Sequence, residues 1–329
     1  MQKIGILLGQ LGTPDAPTTG AVRRYLREFL GDPRVVEINR VLWWFILNGV
    51  ILVRRPPMSA ALYRNVWTPE GSPLLLNTKR QAAGLQAGLK DAAPDAEVRV
   101  EVAMRYGTPS TASAIETLSA WGADRILLFP MYPQYSAPTT GSTYDAVFAE
   151  LPKRRFVPTL RVVPPYYEHP GYIGALAASI RERLAKMDQR PQKILLSFHG
   201  IPQRYARMGD PYPEQCQATV RALASEMKWN ADDYLVTFQS RFGKEPWLQP
   251  YTDQTLMSLG KEGVERILVV CPGFTSDCLE TIDEIGNLGR EQFAGGGGKS
   301  LELVPCLNHR PRWIEAMTSI AAGELRGWI

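Results

Sequence analysis

One order of motifs occurs twice in this chain, and it restricts the fold more than any single residue does. Lys193-Ile194-Leu195-Leu196 answers Lys3-Ile4-Gly5-Ile6, and Arg241-Phe242-Gly243 answers Arg105-Tyr106-Gly107. Gly263-Val264-Glu265-Arg266-Ile267-Leu268, followed by Pro272, answers Gly122-Ala123-Asp124-Arg125-Ile126-Leu127, followed by Pro130. Three anchors in one order predict two lobes of similar topology. Short apolar runs bounded by glycine and proline alternate with amphipathic stretches, which is the pattern of parallel α/β sheets. The first half gives strands over residues 3–8, 98–104 and 125–129 and helices over 19–30, 78–89, 113–121 and 142–150. The second gives a buried strand at 194–198, a last strand at 300–304 and a closing helix over 311–325. The expected fold class is α/β, two similar lobes each with a parallel β-sheet flanked by helices. Their expected extents are 1–165 and 166–329, the closing helix in the second. Residues 158–165 read as an extended connection, and Gly9-Gln10-Leu11-Gly12-Thr13-Pro14 as a tight strand-to-helix turn without a phosphate-loop signature.

The two halves differ in spacing. Lys3 and Arg105 stand 102 positions apart, Lys193 and Arg241 only 48. The surplus falls at about residues 34–77, which marks an insertion on a shared scaffold. Within it, Val41 to Val53 includes Trp43-Trp44-Phe45 and is bounded by Arg40 and Arg54-Arg55. Thirteen residues cannot span a bilayer, which needs about twenty. A buried core helix would account for the segment. Adjacent aromatics with arginines at both ends also suit a lip that dips into a membrane surface or covers an apolar ligand.

Composition excludes several classes of function. The net charge of +4 comes from scattered or paired basic residues without a dense stripe, so nucleic acid is not an expected partner. Cys216, Cys271, Cys278 and Cys306 are widely spaced with no C-x-x-C, which argues against a disulfide framework. The chain enters its first strand without a charged-then-apolar leader, and the expected location is the reducing cytoplasm.

Chemistry concentrates in two places. The run Ile194 to Phe198 ends at His199-Gly200-Ile201-Pro202, so His199, one of three histidines, sits where a parallel sheet presents ligand-binding groups. A hydrogen-bonding role at a strand end would also explain it. After the strand near residue 270, Phe274-Thr275-Ser276-Asp277-Cys278-Leu279-Glu280 opens a helix with Ser276 or Asp277 as N-cap. There Asp277, Glu280 and Glu284 share one face at helical spacing. The same spacing suits a solvated acidic face at a helix N-terminus. Histidine with carboxylates makes a hard-to-borderline ligand set for a divalent metal held transiently, and also supplies acid–base groups. There is no H-E-x-x-H and no G-x-S-x-G, so zinc-protease and serine-hydrolase chemistry have no support.

Ser197-Phe198-His199-Gly200-Ile201-Pro202, Gly209-Asp210-Pro211-Tyr212-Pro213, Phe238-Gln239-Ser240-Arg241-Phe242-Gly243 with Pro246-Trp247-Leu248, and Phe274 to Glu280 resemble the ferrochelatase family. Tyr132-Pro133-Gln134-Tyr135-Ser136 and Thr139-Thr140-Gly141-Ser142 extend the likeness to the first half. The resemblance implies a chelatase fold with a porphyrin cleft and the insertion of Fe²⁺ into protoporphyrin IX, the two substrates, to give protoheme. It implies catalytic and metal-contacting roles for His199 and Glu280, a relay role for Glu284, and porphyrin contacts from Leu11, Arg105, Tyr106, Tyr132 and Trp247. It also implies a peripheral contact of Val41 to Val53 with the inner face of the cytoplasmic membrane.

The chain departs from the family pattern at several positions. Leu11 stands where other members carry Met or Tyr, Cys278 where a histidine is common, and Leu288 where some have a third acid. Ala137 is not a cysteine and the C-terminal cysteine cluster of some members is missing, so no [2Fe–2S] cluster and no prosthetic group is expected. Coproporphyrin or sirohydrochlorin chelatases of similar architecture, and a non-catalytic tetrapyrrole or metal carrier, are the alternatives. Leu11 and the apolar insertion favour a porphyrin with only two propionates.

Overall fold

The computed structural model describes residues 2–92, 94 and 96–329. Its strands are β1 (Gln2–Thr13), β2 (Ala96–Gly107), β3 (Arg125–Pro130), β4 (Thr159–Val162), β5 (Lys193–His199), β6 (Tyr234–Gln239), β7 (Arg266–Val270) and β8 (Ser300–Leu303). They form two parallel sheets of four strands, in the orders β2-β1-β3-β4 and β6-β5-β7-β8. The strand order is the same in both, so the repeated motifs mark a repeated topology. Ile4, Ile6, Leu7 and Leu8 of β1 and Leu195, Leu196 and Phe198 of β5 are wholly buried. A central strand covered by helices on both faces has to be apolar on both, which is why these runs do not alternate.

Two readings from the sequence need correction. Residues 158–165 contain β4, which pairs with β3 from Thr159 to Val162. Its partly exposed residues and flanking prolines are those of a short edge strand, and they hide the sheet period. The glycine-rich stretch is strand, not turn, because β2 runs far enough to pair Gly12 with Tyr106 and Thr13 with Gly107. Glycine is required at position 12, where φ is +113° and a Cβ would lie 1.8 Å from the Tyr106 carbonyl oxygen.

The chain divides into two compact units, one of residues 1–132, 136–164 and 309–329, the other of 133–135 and 165–308. The helix Pro311–Glu324, expected to close the second lobe, therefore belongs to the first unit. It packs on the helix Pro73–Ala92, where Gly84 and Gly88 face Ile314 and Thr318 so closely that a Cβ at either would crowd them. The Arg161 guanidinium fixes its end, donating to the carbonyls of Glu324 (2.6 Å) and Arg326 (2.9 Å) and stacking on Trp328.

The insertion is helical: Arg40–Ile46, a π-helical turn Leu47–Ile51, and Leu52–Val66. Arg23 ties it to the helix Thr19–Gly31 by donating to the Leu52 carbonyl (2.9 Å). The three adjacent aromatics do not act alike. Trp43 is 7% exposed and its indole N–H donates to the Leu30 carbonyl at 2.6 Å. Trp44 and Phe45 are 60% and 63% exposed, among exposed Val41, Leu42, Val50, Val53 and Met58. One helical turn sends Trp43 into the core and its neighbours outward, so only two of the three rings are on the surface. Trp43→Ser is expected to lower unfolding free energy by about 3 kcal/mol in urea titrations. Trp44→Ser with Phe45→Ser is expected to change it by less than about 1 kcal/mol.

Candidate active site

In the second unit, β5 ends at His199, opposite Gln239 at the end of β6. His199 Nδ1 lies 2.7 Å from the Gly200 carbonyl oxygen. A carbonyl can only accept, so the neutral ring carries its proton on Nδ1 and leaves the Nε2 lone pair free. The ring stands 6.5 Å from Trp247 and 6.4 Å from Phe274. Trp247 is only 5% exposed and packs on Phe242 at 4.9 Å. It forms an aromatic wall beside the histidine.

The acidic row is more selective than its spacing suggested. The helix Glu280–Gly289 is π-helical, with i→i+5 hydrogen bonds over ten residues. This rare geometry recurs at functional sites. Asp277 lies before it and is not its N-cap. Its carboxylate accepts from the Cys306 backbone N–H (3.1 Å) and Asn308 Nδ2 (2.6 Å), so it fixes the chain after β8. Glu280 and Glu284 remain on the helix as the paired acids.

Two residues not assigned roles from the sequence hold this pair. Gln239 accepts from Ser197 Oγ (2.8 Å) and donates through Nε2 to the Glu280 carbonyl (2.8 Å). Behind Ser197, the hydroxyls of Thr252 and Thr237 continue a buried chain of hydrogen bonds. Ser240, at φ +67°, donates its backbone N–H to Glu284 Oε1 at 2.7 Å and its hydroxyl to Oε2. A non-glycine residue in the left-handed region, placed between strand and loop, is the available signal, but it is conformational and invisible in the residue letters. Burial raises the Glu284 pKa from its ordinary value; the Ser240 bonds and His199 oppose that rise, and the Glu280 charge adds to it. His199, Glu280 and Glu284 therefore share one electrostatic site.

The first unit gathers the other predicted residues. Arg105 Nε donates to the carbonyl (2.9 Å) and Oγ (2.6 Å) of Ser142, and its Nη2 to Asp32. Tyr106, 1% exposed, donates its hydroxyl to Asp32 Oδ2 at 2.8 Å. The ring is buried, and burial raises its hydroxyl pKa. Tyr132 is half-buried with an enclosed hydroxyl, its pKa raised by burial and partly restored by Thr143. Leu11 is half-buried on the last residues of β1. Asp32, at the C-terminal end of the helix Thr19–Gly31, has no role assigned from the sequence. Burial pushes its pKa up, but Ser142, the Arg34 N–H, Tyr106 and the Arg105 charge together hold it below the usual value.

A carboxyl whose pKa is raised by folding costs stability above its unfolded value, and that cost grows as pH rises towards the folded value. Glu284→Gln is thus expected to unfold at an equal or higher denaturant midpoint than the parent at pH 7. The difference is expected to close as pH falls to about 4, the unfolded carboxyl range. A midpoint clearly below the parent at pH 7 contradicts this.

Comparison with known proteins agrees with this geometry. The family model described as Ferrochelatase matches residues 3–325. The ferrochelatase of Herminiimonas arsenicoxydans is 52% identical over 330 aligned positions, covering 100% of this chain and 88% of the relative. That of Thioalkalivibrio sulfidiphilus is 52% identical, covering 99% and 88%. Among solved structures, SirB from Bacillus subtilis with Fe³⁺ superposes with a TM-score of 0.55 at 12% identity, over 99% of this chain and 95% of that one. CbiX, at a TM-score of 0.50 and 13% identity, covers 100% of both. These two likenesses establish the chelatase fold. The sequence match establishes the rest: the chain belongs to the ferrochelatase family, lyases that insert iron into protoporphyrin in heme synthesis.

Proposed function

We propose that His199 and Glu280 carry the metallation of protoporphyrin IX by Fe²⁺, with Glu284 as relay. Porphyrin metallation forms four iron–nitrogen bonds, breaks two pyrrole N–H bonds and releases two protons. The observation that carries the reading is the free Nε2 acceptor of His199 in one electrostatic site with Glu280 and Glu284. Nε2 accepts pyrrole protons as general base. Glu280 offers a carboxylate to the incoming Fe²⁺ and to the departing protons. Glu284, its pKa raised by burial, takes up a proton more readily than an exposed carboxylate and passes it on. Arg105 and Leu11 are the porphyrin contacts in the first unit.

The enzyme acts in the cytoplasm, peripherally attached through Val41 to Val53 to the inner face of the membrane. Exposed Trp44 and Phe45 beside exposed Arg40, Arg54 and Arg55 support this, because apolar rings enter the acyl boundary while arginines meet anionic headgroups. No helix among the described residues is long and apolar enough to cross a membrane. The enzyme works without a [2Fe–2S] cluster. The reading rests on the sequence: the four cysteines are widely spaced with no C-x-x-C, and position 137 is Ala137. Nucleic acid is not a partner.

His199→Ala is expected to lower anaerobic turnover with Fe²⁺ and protoporphyrin about 10²–10⁴-fold. Glu280→Gln is expected to lower kcat more than it changes porphyrin affinity. The double variant is expected to be scarcely worse than the poorer single one if the pair acts as a unit. Near-parental turnover in His199→Ala overturns the assignment. In flotation with vesicles containing anionic lipid, the Trp44→Ser, Phe45→Ser variant is expected to stay with the soluble fraction while the parent floats. Equal flotation of both removes the membrane reading.

A further inference from the structure

We propose that Asp32 is a positioning residue for porphyrin binding, acting through Arg105. The inference rests on the reading of Arg105 as a porphyrin contact. Asp32 caps the end of the helix Thr19–Gly31, where the scaffold gives way to the insertion. Its buried carboxylate receives four donors from three separate segments. Oδ1 accepts the Arg34 backbone N–H at 2.7 Å. Oδ2 accepts the Arg105 guanidinium, the Tyr106 hydroxyl at 2.8 Å and the Ser142 hydroxyl at 2.6 Å. The root of the insertion, the end of β2 and the start of the helix Ser142–Glu150 thus meet on one carboxylate.

What this accomplishes is visible at Arg105. Nε is committed to Ser142 and Nη2 to Asp32, while Nη1 has no hydrogen-bond partner among the described residues. The side chain keeps partial exposure while the aspartate is almost fully covered. A free arginine carries about 2 kcal/mol of rotamer entropy, which a ligand would otherwise have to overcome. Held from behind on two sides, Arg105 presents one donor nitrogen in a fixed direction before the porphyrin arrives. That is preorganisation: the ordering occurs in folding and not in binding. Tyr106 braces the same arrangement from inside, with the guanidinium carbon 4.6 Å from its ring centroid.

Asp32→Asn separates this role from a general loss of fold. The amide keeps the carbonyl oxygen that accepts from Arg34 and places an NH₂ group against the three donors now met by Oδ2. It is expected to raise KM for protoporphyrin on the order of tenfold, as for loss of a charge-assisted bond, with KM for Fe²⁺ unchanged. In an Arg105→Ala background the same substitution is expected to add nothing to the porphyrin KM, because the contact it orients is gone. Ser142→Ala keeps every charge and is expected to raise the porphyrin KM by a smaller factor, about threefold, again only when Arg105 is present. It serves as the test if Asp32→Asn does not fold. Equal shifts in both KM values, or undiminished effects in the Arg105→Ala background, overturn the inference. If Arg105→Ala itself leaves the porphyrin KM unchanged, the reading of Arg105 falls and the inference with it. If Arg105→Ala raises it while neither Asp32→Asn nor Ser142→Ala does, only the inference falls.

Discussion

Everything chemical in this chain is set by the burial of its parallel strands. β1 and β5 are apolar on both faces and bonded to neighbours on both edges. Polar side chains are thereby driven to the strand ends. At the carboxyl ends of β5 and β6 the chain changes within a residue or two from Phe198 and Phe238 to His199, Gln239 and Ser240. The same transition in the first unit delivers Arg105 and Tyr106 from the end of β2. The site is a consequence of where a doubly covered sheet stops.

Two carboxylates show how the surroundings drive pKa values in opposite directions. Asp32 and Glu284 both lose water, which by itself raises the pKa of each. Asp32 meets four donors, one of them a guanidinium, and the balance falls below the ordinary value. Glu284 has the two Ser240 donors and a long contact from Gln239, with the Glu280 charge against it, and the balance stays above. An acid held charged is suited to fixing other groups; one close to its proton is suited to moving it.

The repeat made the shared topology of the two lobes legible because apolar runs and glycine–proline breaks report buried strands directly. β4 escaped because an edge strand of four residues carries too little pattern. The Pro311–Glu324 helix was placed with its sequence neighbours, yet its glycine-lined partner lies far back in the chain. His199, Glu280 and Glu284 were legible as chemistry at a strand end and on one helix face. Gln239, Ser240 and Asp32 were not, since ordinary polar residues become functional only through the partners that tertiary structure brings. Trp43 and Trp44 make the same point: identical letters, adjacent in sequence, opposite in burial.

The segment Glu280–Gly289 carries the clearest cost of function. Like charges four residues apart destabilise a helix, a half-buried carboxyl with raised pKa adds to that, and π-helical geometry gives up the favoured i→i+4 bonds. No gain in packing requires these three choices together. Ser240 adds a left-handed backbone to hold Glu284. Such strain persists only where surrounding structure fixes it, and here Gln239, seated on buried Ser197, supplies that support from the adjacent strand. A neutral, α-helical segment would satisfy the fold better; it would have no paired acids to set beside His199, the arrangement on which the proposed metallation rests.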